Sequence, residues 1–418
     1  MDKLLHTPEG VRDIYNSEFA KKKMLEQGLS KRLALHGFHE IQTPMFEFLD
    51  IFSKERGSVS GKEMYKFFDR EGNTLVLRPD ITPSIARCVA KYYKTEQMPI
   101  RLSYCGSTFI NSSSYQGKLK ETTQLGAELI NDASIEADAE MIALTVECLK
   151  CAGLKEFQVE IGQADFFLGI VEEAGFDEEE TEQLRILIEN KNLFGVEELI
   201  RGKKLEKPVK SVILQLTDLF GTLDNILGVK ESIHNERARN ALERMEKLYE
   251  LLTLYGYEQY ITFDLGMLSK YNYYTGIIFR AYTYGTGDAV ITGGRYDSLV
   301  SQFGKQAPAI GMAVLIDQLL IALSRQKLLE EPELENTLIV YDSSYIANAV
   351  ALANHFREQE MKIEMLAHDE RKTREDYIAY ANRMGIGGIL ALFTEDKVEV
   401  IHATDGTVQT VPLKGMLS

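Results

Sequence analysis

RLSYCGSTFINSSSYQGKLKETTQLGAELI, residues 101–130, is the stretch on which the fold turns. Its first ten residues carry Leu, Tyr, Thr, Phe and Ile, and its last ten return to β-formers. The polar loop between them, NSSSYQGKLK, predicts strand–loop–strand. Immediately upstream, KEMYKFFDREGNTLVLRPDITPSIAR (62–87) reads as a hairpin turning near Gly72, followed by a helix start at ITPSIAR. Farther back, EFAKKKMLEQGLSKRLALHGF (18–38) repeats apolar residues at helical spacing and stops at Gly37, and HEIQTP alternates into Pro44. Downstream, SIEADAEMIALTVECLKCAG (134–153) predicts a helix and EFQVEIGQ (156–163) the next strand.

Beyond this core, about 164–232 reads as a helical insertion, because DEEETEQLRILIENKNLFGVEELI (177–200) is charged and has no strand character. SIHNERARNALERMEKLYELLTLYG (232–256) predicts a long amphipathic helix, whose Glu, Arg and Lys residues read as a solvated face. NYYTGIIF (272–279), TGGRYDSL (292–299) and APAIGMAVLIDQLLIAL (307–323) complete a first domain over 1–325. A charged linker over 326–335 follows. From 336 to 418 strands and helices alternate (TLIVYDS, IANAVALANHFREQE, KIEMLAH, TREDYIAYANRMG, GGILALF, then VEVIHAT and TVQTVPL), which predicts a small α/β domain with a largely parallel sheet.

Composition narrows the function. The 418 residues hold 47 Lys+Arg against 63 Asp+Glu, a net charge of −16, which argues against a nucleic-acid coat. Charge locally clustered could still form a groove, but Arg371, Lys372 and Arg374 are interleaved with Asp369, Glu370, Glu375 and Asp376, a solvated helix start. Four cysteines (Cys88, Cys105, Cys148, Cys151) suit a reducing cytoplasm and no disulfide scaffold. The single CxxC, Cys148–Cys151, lies in a predicted helix and reads as buried thiols rather than a metal or redox pair. No run reaches the roughly 18 apolar residues of a membrane span, and the first residues carry no apolar leader core.

Taken in order, TPEGVRDIY (7–15), GFHEIQTPMFE (37–47), the hairpin–helix at 62–87, the strand–loop–strand at 101–130, NYYTG, GGRYD and the strand–helix at 307–323 resemble the class II histidyl-tRNA synthetase fold. That resemblance implies an α+β architecture: an antiparallel sheet flanked by helices, with the tail only loosely like an anticodon-binding domain. NYYTG and GGRYD are similar to the two histidine-recognition signatures. The resemblance therefore implies a histidine pocket made by Asp80, Thr82, Gln124, Glu128, Tyr274 and Tyr296. The chemistry is coherent. An ammonium donates three hydrogen bonds and needs acceptors. An imidazole needs a polar partner and an aromatic wall. Gly293 and Gly294 let the backbone come close.

Amino-acid activation also needs fixed cations around the α-phosphate, since one such donor is worth roughly 10²–10³ in rate. At the three positions where the synthetases place arginines this chain has Ile110, Gln318 and Ser269. Lys270 is adjacent to the last, but Lys does not replace Arg at a bidentate site. With the nucleotide half lost and the amino-acid half kept, the chain also resembles the regulatory subunits of ATP phosphoribosyltransferase, which are non-catalytic synthetase paralogues. This implies no catalytic residues, no metal and no cofactor. It implies a short-form catalytic subunit as partner, free histidine as feedback effector, and a homodimer core within a hetero-oligomer, with tRNA and membrane not expected. Two alternatives stand beside it: a divergent histidyl-tRNA synthetase using Lys270 or Arg280, and a synthetase-like module used for RNA sensing.

Overall fold

The computed structural model describes residues 3–52, 59–112, 118–268, 274–331 and 336–417. Ser269, Lys270 and most of the loop expected at 111–118 lie outside them. The chain divides into two compact units, Met1–Asp13 with Met24–Leu329 and Ile14–Lys23 with Glu330–Ser418.

In chain order the elements of the larger unit begin with α1 (Asn16–Leu35), which starts in the smaller unit. Then come β1 (His39–Glu40), β2 (Phe46–Phe48), β3 (Lys66–Phe68), β4 (Thr74–Leu77), α2 (Thr82–Tyr92), β5 (Ile100–Phe109), β6 (Glu121–Ile130), α3 (Ile135–Cys151) and β7 (Phe157–Gln163). The inserted segment supplies α4 (Ala164–Ala174), α5 (Glu178–Glu189), α6 (Leu193–Ile200), α7 (Lys207–Gln215), β8 (Phe220–Gly221) and α8 (Leu223–Leu227). After it come α9 (Glu236–Leu254), β9 (Ile261–Asp264), β10 (Ile277–Thr283), β11 (Ile291–Arg295), β12 (Ala309–Leu315) and α10 (Ile316–Arg325).

Nine strands form one sheet in the order β1-β5-β6-β12-β11-β10-β7-β9-β8. The six from β5 to β7 are antiparallel throughout. Parallel pairs occur only toward the sheet's ends, β1 with β5 and β7 with β9. HEIQTP yields only two paired residues, because the chain must leave the sheet before Pro44. The inserted segment is not purely helical: β8 pairs with β9 and forms the sheet's edge.

Helix α3 lies against this sheet. Ser134 caps it, its hydroxyl accepting from the Ala137 amide at 3.1 Å. Ala137, Met141, Leu144 and Cys148 are all buried, so its inner face is apolar at i, i+4, i+7 spacing. Cys151, one turn on, is exposed and its thiol points at the Gly28 carbonyl, so the CxxC is half buried and half on the surface. One charge of the long amphipathic helix departs from the expected solvated face: Arg244 of α9 reaches the buried Asp138 carboxylate of α3, while Arg237 pairs with Asp165 at the surface.

The smaller unit holds β13 (Asn336–Tyr341), α11 (Ile346–Glu358), β14 (Lys362–Ala367), α12 (Arg374–Met384), β15 (Ile386–Leu392), β16 (Lys397–His402), β17 (Val408–Pro412) and α13 (Leu413–Met416). Its sheet order is β14-β13-β15-β16-β17. β13 runs parallel to β14 and β15, but β15–β16 and β16–β17 are antiparallel. The sheet is mixed rather than largely parallel, because the short connections after β15 and β16 permit only hairpins. At α12, Thr373 and Asp376 form a capping box, and Arg374 pairs with Glu399 at 2.7 Å. The capping box holds the helix start, and Arg371 and Arg374 are paired with the carboxylates of Asp369 and Glu399. No described helix is long and apolar enough to cross a membrane.

Candidate functional site

Asp80, Thr82, Gln124, Glu128, Tyr274 and Tyr296 all line one pocket, with Thr292, Gly311, Met312 and Ala313 completing the wall. Local sequence explains how each arrives. Gln124 and Glu128 are four apart on β6 and so face the same side of the sheet. Glu128 sits directly opposite Gly311 of β12. A side chain at 311 would fall on the Glu128 carboxylate, so glycine is required there. Asp80 and Thr82 stand at the start of α2, where one Asp80 oxygen accepts from the Ile81 amide at 2.7 Å and the Thr82 amide at 3.3 Å. Asp80 therefore holds the amides at the start of α2 and lines the pocket at once. Arg78, just before it, is a brace. Its guanidinium donates to the Thr43 carbonyl at 2.9 Å and the Ser107 carbonyl at 2.8 Å.

The two tyrosines come from the signature segments. The described end of the first signature meets the second, with the Thr275 amide donating to the Arg295 carbonyl at 2.8 Å. The Tyr274 ring lies over Gly294, where a Cβ would collide with it, and the Phe279 ring crosses Gly293 in the same way. Arg295 faces away from the pocket. It donates to Asp138 at 2.7 Å, and the Asp132 carbonyl accepts from it at 2.8 Å. Asp138 is fully buried and also receives Arg244 Nε at 2.8 Å. Burial pushes the Asp138 carboxyl up, opposed by the two guanidiniums. This buried triad ties α3, α9 and β11 together and fixes the strand end that carries Tyr296. A signature read only for its tyrosine hides this role.

Glu128 is the centre of the pocket. It is 1% exposed, accepts from the Thr82 hydroxyl at 2.9 Å and from the Tyr296 hydroxyl at 2.6 Å. Burial pushes its carboxyl up to about 8; the two hydroxyl donors oppose the shift and Asp80 adds to it. Burial and the Glu128 charge likewise raise the Tyr296 hydroxyl. The buried Gln124 Oε1 has no partner among the described residues, and the buried Tyr104 hydroxyl lies beside Thr82 and Glu128. Buried polar groups rarely stay unpaired, so Gln124 Oε1 is a place for a ligand's hydrogen bond. Tyr104 of β5 was not foreseen. Its ring fits because Gly126 opposite leaves room, and in sequence it is one more apolar-face residue of a strand.

The pocket is tight, about 20 Å³, so an amino acid enters only as the lining side chains move. Through Tyr274 and Thr292 it adjoins a larger cavity of about 530 Å³. Ile110 and Gln318, two of the three positions where arginines were expected, line that cavity. Gln318 is engaged, its Oε1 accepting from the Thr286 hydroxyl at 3.0 Å. Arg280 also lines it but is held elsewhere. It stands opposite Glu160 on β7 and donates to the Leu268 carbonyl at 3.4 Å. The third position, Ser269, lies outside the described residues.

The chain is similar to known proteins over nearly its whole length. The family model described as Histidyl-tRNA synthetase matches residues 10–319. The chain is 40% identical over 414 residues to the ATP phosphoribosyltransferase regulatory subunit of Acetivibrio thermocellus, covering 99% of this chain and 98% of the relative. It is 39% identical over the same length to that of Ruminiclostridium cellulolyticum. Among solved structures it is similar to an ATP phosphoribosyltransferase regulatory subunit/histidyl-tRNA synthetase from Bacillus halodurans, with a TM-score of 0.83 at 31% identity over 94% of this chain and all of that one. A histidyl-tRNA synthetase from Nostoc sp. PCC 7120 shares the fold at 17% identity, with a TM-score of 0.79 over 99% of this chain and 98% of that one.

Proposed function

This chain belongs to the histidyl-tRNA synthetase family and, within it, to the non-catalytic regulatory subunits of ATP phosphoribosyltransferase; on that premise we propose that it senses free histidine in the Glu128 pocket and passes the signal to a short-form catalytic subunit. The carrying observation is the convergence of Asp80, Thr82, Gln124, Glu128, Tyr274 and Tyr296 on one buried pocket with an unpaired acceptor at Gln124. The ammonium of histidine lies against Asp80, Thr82 and Gln124, its ring against Glu128, Tyr274 and Tyr296. The adjoining cavity has an alkyl group at Ile110 and an engaged amide at Gln318, which fits loss of adenylate chemistry.

Regulation follows from linkage. Histidine inhibits only to the extent that it binds one state of the complex more tightly than another. The tightness of the pocket supplies a physical basis, since entry has to shift Tyr274 and its neighbours. The complex acts in the cytoplasm and is built on a homodimer core. Support for that core comes from the small sheet β2-β4-β3. Phe46, Phe48 and Phe67 are exposed on it, and the Phe46 and Phe67 rings meet edge to face at 5.8 Å, an apolar face suited to a second copy.

The test is reconstitution with a short catalytic subunit. The two should co-elute, the mixture should turn over ATP and phosphoribosyl pyrophosphate faster than the catalytic subunit alone, and added histidine should suppress the gain. No co-elution and no stimulation would remove the partner assignment. Stimulation that histidine leaves untouched would remove the sensor.

A further inference from the structure

Every side chain that lines the Glu128 pocket is acidic or neutral. Asp80 and Glu128 are the charged members, and Lys, Arg and His are absent among the described lining residues. Both carboxylates are buried, Asp80 at 8% and Glu128 at 1% exposure. The unpaired Gln124 Oε1 adds an acceptor, which calls for a donor on the ligand. The pocket thus has several acceptors for a cation and no cationic side chain among its described lining residues.

The adjoining cavity does not repair this. Its described charges are Lys118 and Arg280 against Glu63 and Asp288, so they cancel, two against two. Arg280 faces Glu160 and donates to Leu268. Lys118 is exposed, where a point charge is screened by water. The cavity's lining also includes Ile110, Ile278 and Ala289, whose side chains cannot pair with a carboxylate.

We propose that the pocket reads the ammonium and the imidazole of its ligand and leaves the carboxyl group unread, so that its ligand class is the imidazole-bearing primary amine as a whole, with histidine one member. This rests on the histidine reading given above. An anionic carboxylate brought near the Asp80 carboxylate is repelled, and no cation in the described lining offsets this. Masking it as an amide, or removing it, takes that repulsion away. The ligand's far end then lies in the neutral cavity beside Ile110, which has room for a substituent.

Calorimetry on the full-length protein at neutral pH, with histidine, histidine amide and histamine as probes, tests this. Histidine amide and histamine should bind as tightly as histidine or up to about tenfold tighter. The variant Ile110→Arg should shift the preference between histidine and its amide toward histidine by about tenfold or more. Histidine binding more tightly than its amide in the wild type would overturn the inference. So would an Ile110→Arg variant with an unchanged preference. Failure of all three compounds to bind would refute the histidine reading itself. Binding of the amide and histamine without histidine would overturn the inference, because a carboxyl group that blocks binding is not unread, and would refute the sensor as well.

Discussion

Replacing Glu128 by Gln should turn a pH-dependent contribution to stability into a constant one. Glu128 is buried at 1% exposure, and its carboxyl holds a proton up to about pH 8 against an ordinary value of 4.5. Burial is the main cause. The hydroxyls of Tyr296 and Thr82 pull the other way, and Asp80 adds to the rise. The folded value is above the unfolded one, so the folded state retains a proton that the unfolded chain releases. The protonated group's contribution is fully present below about 4.5 and is lost as the pH rises through about 8. One pH unit is worth 1.36 kcal/mol. Across the window of 8 − 4.5 = 3.5 units the change is on the order of 5 kcal/mol. Glutamine keeps an acceptor for the Tyr296 hydroxyl and has no proton to lose. The difference in unfolding free energy should therefore move in favour of Glu128→Gln by about 3 kcal/mol between pH 5.5 and 7.5 and level off above about 8.5. The chain has 20 tyrosines and no tryptophan, so urea unfolding is followed by tyrosine emission. A difference between variant and wild type that does not change with pH would refute the buried, proton-holding Glu128.

Two further outcomes are expected. Asp138→Ala strands Arg295 and Arg244 without their shared buried carboxylate, and breaking such a pair typically destabilises by about 3–5 kcal/mol; thermal and urea unfolding measure it, and a change under about 1 kcal/mol would mean the triad is not a fixed support. Gln124→Ala and Tyr274→Ala should each weaken histidine binding in calorimetry by about tenfold or more while circular dichroism stays unchanged; unaltered binding in both would remove the pocket assignment.

Much of the site was legible because its residues sit in short ordered segments. Asp80 and Thr82 bracket a helix start, Gln124 and Glu128 share a strand face, and Tyr274 and Tyr296 sit in two signatures joined by the Thr275–Arg295 backbone hydrogen bond. What escaped notice were partners distant in sequence. Asp138 looked like one acidic residue of a helix until Arg295, 157 positions away, was found on it. Arg244 looked like a solvated helix charge until the same carboxylate was found beneath it. Tyr104 gave no polar signal, since a strand tyrosine opposite a glycine reads as packing. In the smaller unit, alternation of strands and helices suggested a parallel sheet, but the last two connections are too short for anything except hairpins.

By itself the sequence determined which chemical groups exist and their local setting. Periodicity and turn residues set the helices and strands, and Ile110 and Gln318 removed two cations whatever the fold did with them. Tertiary structure alone decided how those groups act on one another. Whether Glu128 is a charged surface acid or a buried proton holder depends on β12 bringing Gly311 against it, and on Thr82 and Tyr296 donating from opposite ends of the chain's order. Desolvation and Coulomb energy depend on distance and surroundings in space, and a linear sequence encodes these only through the fold.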